Sequence, residues 1–171
     1  CFDLDLQGKT AIDIGASTGG FTDCMLQHGA AFVYAVDVGH GQLAWRLRQD
    51  SRVFVMERQN ARYLSRDMFD REISFASVDV SFISLTLILP VLMHILSDPY
   101  TIVALIKPQF EAGRDKVGKK GVVRDPLVHA GVIQNIVGFA QETGLVFCGL
   151  ADSPIKGPEG NIEYLVCFSS D

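Results

Sequence analysis

Short apolar runs alternate with longer segments of helical periodicity along most of this 171-residue chain. Seven runs predict buried strands, at residues 10–14, 32–36, 53–55, 73–78, 101–106, 145–150 and 162–168. Four segments predict helices, at residues 18–28, 42–48, 85–96 and 126–142, with Pro90 kinking or restarting the third. This alternation predicts an α/β fold with a mostly parallel central sheet and helices on both faces.

The last two predicted strands depart from the alternation. Residues 152–161 join them without a helix, so we expect a terminal antiparallel hairpin at one edge of the sheet. A dinucleotide-binding sheet continues with parallel strand and helix units. Methyltransferase sheets finish with an antiparallel strand, which favours that second design.

The composition favours one globular domain over residues 1–171, because 48% of the residues are hydrophobic and 20% are charged. The same balance excludes extensive disorder. A membrane span is not expected, since the longest uncharged apolar stretch, residues 80–97, is interrupted by Pro90 and His94. The net charge of −5 argues mildly against a nucleic-acid partner.

The four cysteines, Cys1, Cys24, Cys148 and Cys167, are widely spaced, with no C-x-x-C pair and no histidine cluster nearby. We therefore expect no metal site, and reduced thiols in a cytoplasmic protein. The chain begins at Cys1 without a methionine or a signal-peptide pattern, and we expect that a preceding segment has been removed. The sequence does not indicate the oligomeric state.

Charged residues accompany the ends of four predicted strands. Asp13 lies within the end of the first, and Asp37, Asp79 and Lys107 directly follow three others. Parallel strands end at one edge of a sheet, where α/β proteins bind their ligands. We therefore expect these four side chains to face one crevice.

A glycine-rich loop, DIGASTGGFT at residues 13–22, connects the first strand to the first helix. Glycines let the backbone turn tightly and approach a ligand, and the helix amino end favours a carboxylate or a phosphate. The spacing G-x-x-x-G-G differs from the dinucleotide and P-loop patterns. A turn that needs glycine only for packing is the alternative.

Asp37 closes the second strand 17 residues beyond Gly20. An acidic side chain there can accept hydrogen bonds from both ribose hydroxyls of a nucleoside cofactor, although an ordinary exposed loop aspartate remains the alternative. Together with the glycine loop, Asp37 predicts a cofactor that carries a nucleoside.

Three charged residues belong to apolar strands or their ends, namely Asp79, Lys107 and Glu163. Unpaired charges there would be costly, so we expect them to form one cluster. A structural ion pair is the alternative for any two of them. Three such groups at one crevice favour a catalytic role.

Five stretches, DIGASTGGFTD, VDVGHGQL, DVSFISL, KPQFEAGR with GVVRD, and SPIKGPEGNIEYL, resemble the TlyA family of haemolysin A-like proteins. This family is grouped with the FtsJ-like ribose 2′-O-methyltransferases of RNA, and the resemblance runs from about Leu6 to the end. It implies a Rossmann-like class I methyltransferase fold, S-adenosylmethionine as cofactor, and ribosomal RNA or a ribosomal subunit as partner.

The resemblance also implies which residues bind the cofactor. The glycine loop would hold its methionine end, Asp37 its ribose, and Asn60 would lie near the adenine. The complete implied set is Asp13, Gly15, Ala16, Ser17, Thr18, Gly19, Gly20, Phe21, Asp37, Val38, Asn60 and Asp79.

FtsJ-like enzymes use a Lys-Asp-Lys-Glu tetrad, of which three members map to Asp79, Lys107 and Glu163. No lysine matches the first, because Lys9 is too close to the first strand. The family places that lysine, and a small RNA-binding domain, in a segment that would precede Cys1. Lys107 is then expected to act on a ribose 2′-hydroxyl, with Asp79 and Glu163 orienting it.

The segment at residues 111–124 carries a local charge of +3. Its basic residues are Arg114, Lys116, Lys119, Lys120 and Arg124. A contact with the RNA backbone is the functional interpretation, and a solvated loop is the alternative.

For the whole chain, an NAD-type oxidoreductase and a membrane-active haemolysin are the competing classes. The first needs a different glycine spacing, and the second needs an amphipathic or spanning segment.

Overall fold

A single mixed sheet forms the centre of the computed structural model, which describes residues 2–171. Its strands are β1 (Thr10–Ile14), β2 (Phe32–Val36), β3 (Val53–Met56), β4 (Phe75–Val78), β5 (Thr101–Ile106), β6 (Val146–Asp152) and β7 (Tyr164–Ser169). The α-helices of these residues are α1 (Gly20–Gln27), α2 (Trp45–Arg48), α3 (Leu89–Ile95), α4 (Pro108–Glu111) and α5 (Pro126–Glu142).

The strand order is β3-β2-β1-β4-β5-β7-β6. Strands β1 to β5 run parallel, whereas β7 is antiparallel to both of its neighbours, β5 and β6. The predicted mostly parallel sheet and its antiparallel ending are confirmed. The final strand, however, lies between β5 and β6, and β6 forms the edge.

One face of the sheet packs against α3 and α5. Leu92 of α3 and Ile136 of α5 share a core cluster with Ile12, Ile14 and Ile102 from the strands. Each of these side chains is at most 2% exposed, and burying one contributes roughly 1.5 to 3 kcal/mol.

The opposite face packs against α1 and α2. Met25 of α1 and Leu47 of α2 lie in a second cluster with Ala11 and Val33. Successive strand residues point to opposite faces, which is why Ala11 and Ile12 belong to different clusters. The prediction of helices on both faces is confirmed.

Helices α1, α2 and α3 begin at Gly20, Trp45 and Leu89 rather than at residues 18, 42 and 85. Helix α1 begins at Gly20 rather than at residue 18, because Ser17 and Gly19 adopt left-handed backbone angles, with φ of 48° and 100°. Pro90 lies in the first turn of α3, after a 3-10 turn at Leu85–Leu87, so the helix restarts there as predicted.

The described cysteines, Cys24, Cys148 and Cys167, are free thiols, and Cys1 lies outside the described residues. Within residues 2–171, no helix combines the length and the apolarity that a bilayer crossing requires. The same residues contain no group of three or more potential metal ligands.

Candidate active site

The glycine loop passes directly over the end of β4. Gly15 has φ of 83°, and a Cβ atom on it would lie 2.1 Å from the Asp79 carbonyl oxygen. A Cβ atom on Gly19 would lie 2.2 Å from a methyl carbon of Leu47. Both positions require glycine for a close approach, so the loop presents bare backbone at the carboxyl ends of the strands.

A cavity of about 780 Å³ opens beside this loop, which is a typical size for a small-molecule site. Predicted cofactor residues that line it are Gly15, Ser17, Asp37, Val38, Asn60 and Asp79. Predicted residues outside its wall are Asp13, Ala16, Thr18, Gly19, Gly20 and Phe21. The loop therefore meets the cavity through its first half, and contact of any of these twelve residues with a cofactor stays a prediction.

Asp37 joins the two loops that border the cavity. Its Oδ2 atom accepts a hydrogen bond from the Ser17 N–H at 2.8 Å, and its Oδ1 atom accepts one from the Gly39 N–H at 2.7 Å. Each carboxylate oxygen can accept a second hydrogen bond. Asp37 is thus held in place and still able to accept hydroxyl donors.

Asn60 lines the far side of the cavity. Its Oδ1 atom accepts a hydrogen bond from the Arg62 N–H at 3.0 Å and thereby caps a 3-10 turn. This fixes the side chain and leaves its NH₂ group without a recorded partner among residues 2–171. Gln42, Gln59 and Arg62 also line the cavity and were not predicted, although the latter two flank Asn60 in sequence.

Asp13 lies beneath the loop, fully buried. It accepts hydrogen bonds from the hydroxyls of Thr22 in α1, at 2.6 Å, and Ser77 in β4, at 2.9 Å. Burial raises the pKa of Asp13 to about 6, against the opposing effect of these hydrogen bonds. Its position ties together the elements that carry the loop, and its direct contact with a cofactor stays a prediction.

Asp79 and Lys107 form an ion pair at the mouth of the cavity. The Lys107 Nζ atom lies 2.5 Å from Asp79 Oδ1 and donates a hydrogen bond to the Ser81 hydroxyl at 3.2 Å. Their side chains are 12% and 34% exposed, respectively. Two of the three predicted catalytic residues are therefore in direct contact and within reach of a ligand.

Glu163, the third predicted catalytic residue, immediately precedes β7. The pairing of Ile106 with Tyr164 brings the residues next to them, Lys107 and Glu163, to the same edge of the sheet. Glu163 is only 5% exposed, and its Oε1 atom accepts a hydrogen bond from Gln109 Nε2 at 2.7 Å. Lys107 forms an ion pair with Asp79. Among residues 2–171, there is no ion pair between Lys107 and Glu163.

Two aromatic rings lie next to the ion pair. Phe82 is 88% exposed and has a left-handed backbone, with φ of 64°. Its ring centroid lies 4.6 Å from that of Phe110 in α4. Phe82 was not among the predicted site residues, although it follows the predicted catalytic Asp79 by three residues.

The basic segment at residues 111–124 packs against the loop that leads to Glu163. Asn161 makes this connection, because its Oδ1 atom accepts from the Val123 N–H at 3.1 Å and its Nδ2 atom donates to the Gly121 carbonyl at 3.0 Å. Lys119 and Lys120 are exposed. The predicted local positive charge thus lies beside the candidate active site.

This sheet, with an antiparallel strand inserted next to the edge and a glycine loop after β1, defines a Rossmann-like methyltransferase fold. A solved S-adenosylmethionine-dependent methyltransferase from Mesorhizobium loti shares it, with a TM-score of 0.68 at 14% identity over 97% of this chain and 93% of that one. The chain belongs to the FtsJ-like methyltransferase family, whose family model matches residues 1–170.

Two relatives and one structure are much more similar. The chain is 57% identical to the Bacillus subtilis protein named "Putative rRNA methyltransferase YqxC", over 96% of this chain and 59% of that protein. It is 47% identical to the Mycobacterium tuberculosis 16S/23S rRNA (cytidine-2′-O)-methyltransferase TlyA, over 96% of this chain and 62% of that enzyme.

The solved structure, a "Putative hemolysin" from Streptococcus thermophilus, superposes with a TM-score of 0.95 at 54% identity. It is matched over 98% of this chain and 61% of that one. The chain therefore spans about three fifths of the length of these relatives.

Proposed function

We propose that the chain is the catalytic part of an S-adenosylmethionine-dependent methyltransferase that modifies the ribose 2′-hydroxyl of ribosomal RNA. The observation that carries the proposal is the Asp79–Lys107 ion pair at the mouth of a nucleoside-sized cavity. The names of relatives in the same family, which specify ribosomal RNA and 2′-O transfer, support the substrate class.

The residues around the cavity fit the proposed cofactor. Gly15 lines the cavity with backbone alone and lets the loop pack directly on the Asp79 carbonyl, so the amino-acid end can approach the loop closely, and Asp37 offers two acceptors to ribose hydroxyls. Asn60 is placed to contact the adenine through its NH₂ group. When bound, S-adenosylmethionine supplies an activated methyl group on a sulfonium.

Lys107 acts on the ribose hydroxyl that accepts the methyl group. A ribose hydroxyl is a weak nucleophile at neutral pH, and its oxygen becomes more negative as its proton is lost. The Lys107 ammonium stabilises that charge by donating a hydrogen bond to the oxygen, and Asp79 holds the ammonium in position. The hydroxyl proton passes to solvent water as the new carbon–oxygen bond forms and the methyl–sulfur bond breaks. Much of the acceleration then comes from the alignment of the two reacting groups.

The RNA side of the proposal rests on charge and aromatic surface near Lys107. The exposed Lys119 and Lys120 suit the phosphate backbone, and the exposed Phe82 ring offers a face on which a base can stack. Ribosomal RNA, alone or in a ribosomal subunit, is the proposed partner, and the cytoplasm is the proposed location.

Methyl transfer to defined RNA tests the proposal. The chain is incubated with labelled S-adenosylmethionine and with 16S rRNA, 23S rRNA or isolated subunits, followed by mass spectrometry of the digested nucleosides. We expect a 2′-O-methylated nucleoside that is absent with the Lys107→Met variant. A methyl group found only on a base, or calorimetric binding of NAD without binding of S-adenosylhomocysteine, would overturn the proposal.

A further inference from the structure

Helix α4 is a single turn whose side chains reach different walls of the candidate active site. It begins directly after Lys107, which contacts Asp79. Gln109 contacts Glu163, and the Glu111 Oε1 atom accepts a hydrogen bond from the Leu85 N–H at 2.8 Å. One turn of helix therefore connects the end of β5 with the start of β7 and with the loop after β4.

We propose that Gln109 is a positioning residue for the methyl-transfer site, acting through Glu163. The inference rests on the proposed function, because it assigns Gln109 the task of holding Glu163 opposite the Asp79–Lys107 pair. Gln109 itself is not expected to touch the cofactor.

The orientation of the Gln109 amide is determined by the carboxylate it contacts. Its Nε2 atom lies 2.7 Å from Glu163 Oε1, and an amide turned the other way would bring two acceptor oxygens together. The Gln109 NH₂ group therefore serves as a fixed donor to an ionised carboxylate. Hydrogen bonds of this kind are stronger than those between neutral groups.

The two ends of the Gln109 amide differ in their contacts. Gln109 Oε1 is buried and has no hydrogen-bond partner among residues 2–171. An unsatisfied buried acceptor is destabilising. Within the described residues, the donor end of the amide is therefore the end that makes a hydrogen bond, and that bond goes to Glu163.

The Glu163 carboxylate depends on Gln109 for a hydrogen-bond donor, because no other side chain among residues 2–171 donates to it. The carboxylate is 5% exposed, and a Cβ atom on Gly157 would lie 2.2 Å from its Oε1 atom. Backbone therefore closes one side of the carboxylate, and its recorded side-chain hydrogen bond within residues 2–171 is the one from Gln109. Without that donor, the carboxylate loses the side-chain hydrogen bond that fixes its orientation.

Two substitutions of Gln109 test the inference, with Gln141→Glu as a matched control. Gln141 is exposed on α5, so this control reproduces the charge change away from the site. Gln109→Leu keeps most of the volume and removes the donor. We expect kcat for methyl transfer to fall about 10- to 100-fold, as for a misplaced catalytic group, with S-adenosylhomocysteine affinity and the KM for RNA within about 2-fold of the wild type.

Gln109→Glu distinguishes positioning from a structural role through its pH profile. The new carboxyl lies against Glu163, and the charged groups on the adjacent elements are the Lys107–Asp79 pair and Glu111. At acid pH the two carboxyls share a proton and the contact is restored. At higher pH both ionise and repel. We expect kcat relative to the wild type to fall as the pH rises, which neither Gln109→Leu nor Gln141→Glu should show.

A measurement that does not depend on methyl transfer completes the test. In ¹H–¹⁵N spectra, the Gln109 side-chain NH₂ signals, assigned by their loss in Gln109→Leu, should shift when Glu163 is replaced in Glu163→Gln. If the wild type transfers no methyl group to RNA, the proposed function fails, while these spectra still decide whether Gln109 holds Glu163. Unshifted signals, or a Gln109→Leu variant with wild-type kcat, would overturn the inference.

Discussion

The Lys107 ammonium lies 2.5 Å from the Asp79 carboxylate, because the two residues, 28 positions apart in the chain, follow the neighbouring strands β5 and β4. The pair combines a mostly buried lysine with a carboxylate that is one-third exposed. An ammonium held in this way can present a hydrogen bond to an incoming hydroxyl with little reorganisation.

Replacing Lys107 should separate binding from transfer. Lys107→Met keeps the length of the side chain and removes its charge, so we expect methyl transfer to fall at least about 100-fold. Affinity for S-adenosylhomocysteine, measured by calorimetry, should stay within about 3-fold of the wild type. Lys9→Met is the control, because Lys9 lies directly before the amino end of β1, whereas the candidate active site lies at the carboxyl ends of the strands. Undiminished transfer by Lys107→Met would reject the role given to this residue.

Asp13 should make the chain less stable as the pH rises. Its pKa of about 6 in the folded chain lies above the ordinary value of 3.8, so the folded state binds more protons than the unfolded state between these values. The free energy of unfolding should therefore decrease between about pH 4 and pH 6, by up to about 3 kcal/mol from this group.

Urea unfolding of Asp13→Asn measures this contribution. The asparagine cannot ionise, so the stability of the variant relative to the wild type should improve as the pH is raised from 4 to 7. Asp3→Asn, at an exposed position, should show no comparable trend. A difference between Asp13→Asn and the wild type that is the same at both pH values would contradict the prediction.

Gly15→Ala should damage the cavity. The added methyl group would overlap the Asp79 carbonyl oxygen at 2.1 Å, in a backbone conformation that disfavours a side chain. We expect a loss of about 2 kcal/mol or more in unfolding free energy, and at least about 10-fold weaker binding of S-adenosylhomocysteine. Gly138→Ala in α5, where no atom lies within 4 Å, should be neutral or stabilising by up to about 1 kcal/mol. If the two variants had the same unfolding free energy and the same affinity for S-adenosylhomocysteine, this account of the loop would be wrong.

The exposed lysines of the basic segment should contribute to the salt dependence of RNA binding. In a double variant with Lys119→Gln and Lys120→Gln, the slope of log affinity against log salt should become shallower by about 1 to 2. Filter binding with an rRNA fragment at several salt concentrations measures this slope. An unchanged slope, matching that of Lys9→Gln, would mean that these lysines remain solvated in the complex.

The sequence predicted the elements best where apolar runs end sharply. The bounds of β1, β2, β5 and α5 match the predictions, because polar residues, glycine or proline flank each run. The start of α1 was wrong by two residues, since only the three-dimensional path of the loop shows that Ser17 and Gly19 are left-handed.

Side-chain directions explain what the sequence missed in the site. Asp13 lies between Ile12 and Ile14, which face α3 and α5, so the alternation of a strand turns it toward α1 and away from the cavity. The partnership of Gln109 with Glu163 could not be predicted, because it depends on how a four-residue helix is rotated against β7. The Asp79–Lys107 contact was predictable, because both follow strand ends.

The position of β7 has a consequence for the order in which the protein acquires its chemistry. This strand is the last in the described chain, yet it lies between β5 and β6, and Glu163 immediately precedes it. Its pairing with β5 closes a loop of some 60 residues, the type of nonlocal contact that forms slowly. The residues that line the cavity are synthesised before Glu163, so we expect cofactor binding to become possible before the candidate catalytic cluster of Asp79, Lys107 and Glu163 is complete.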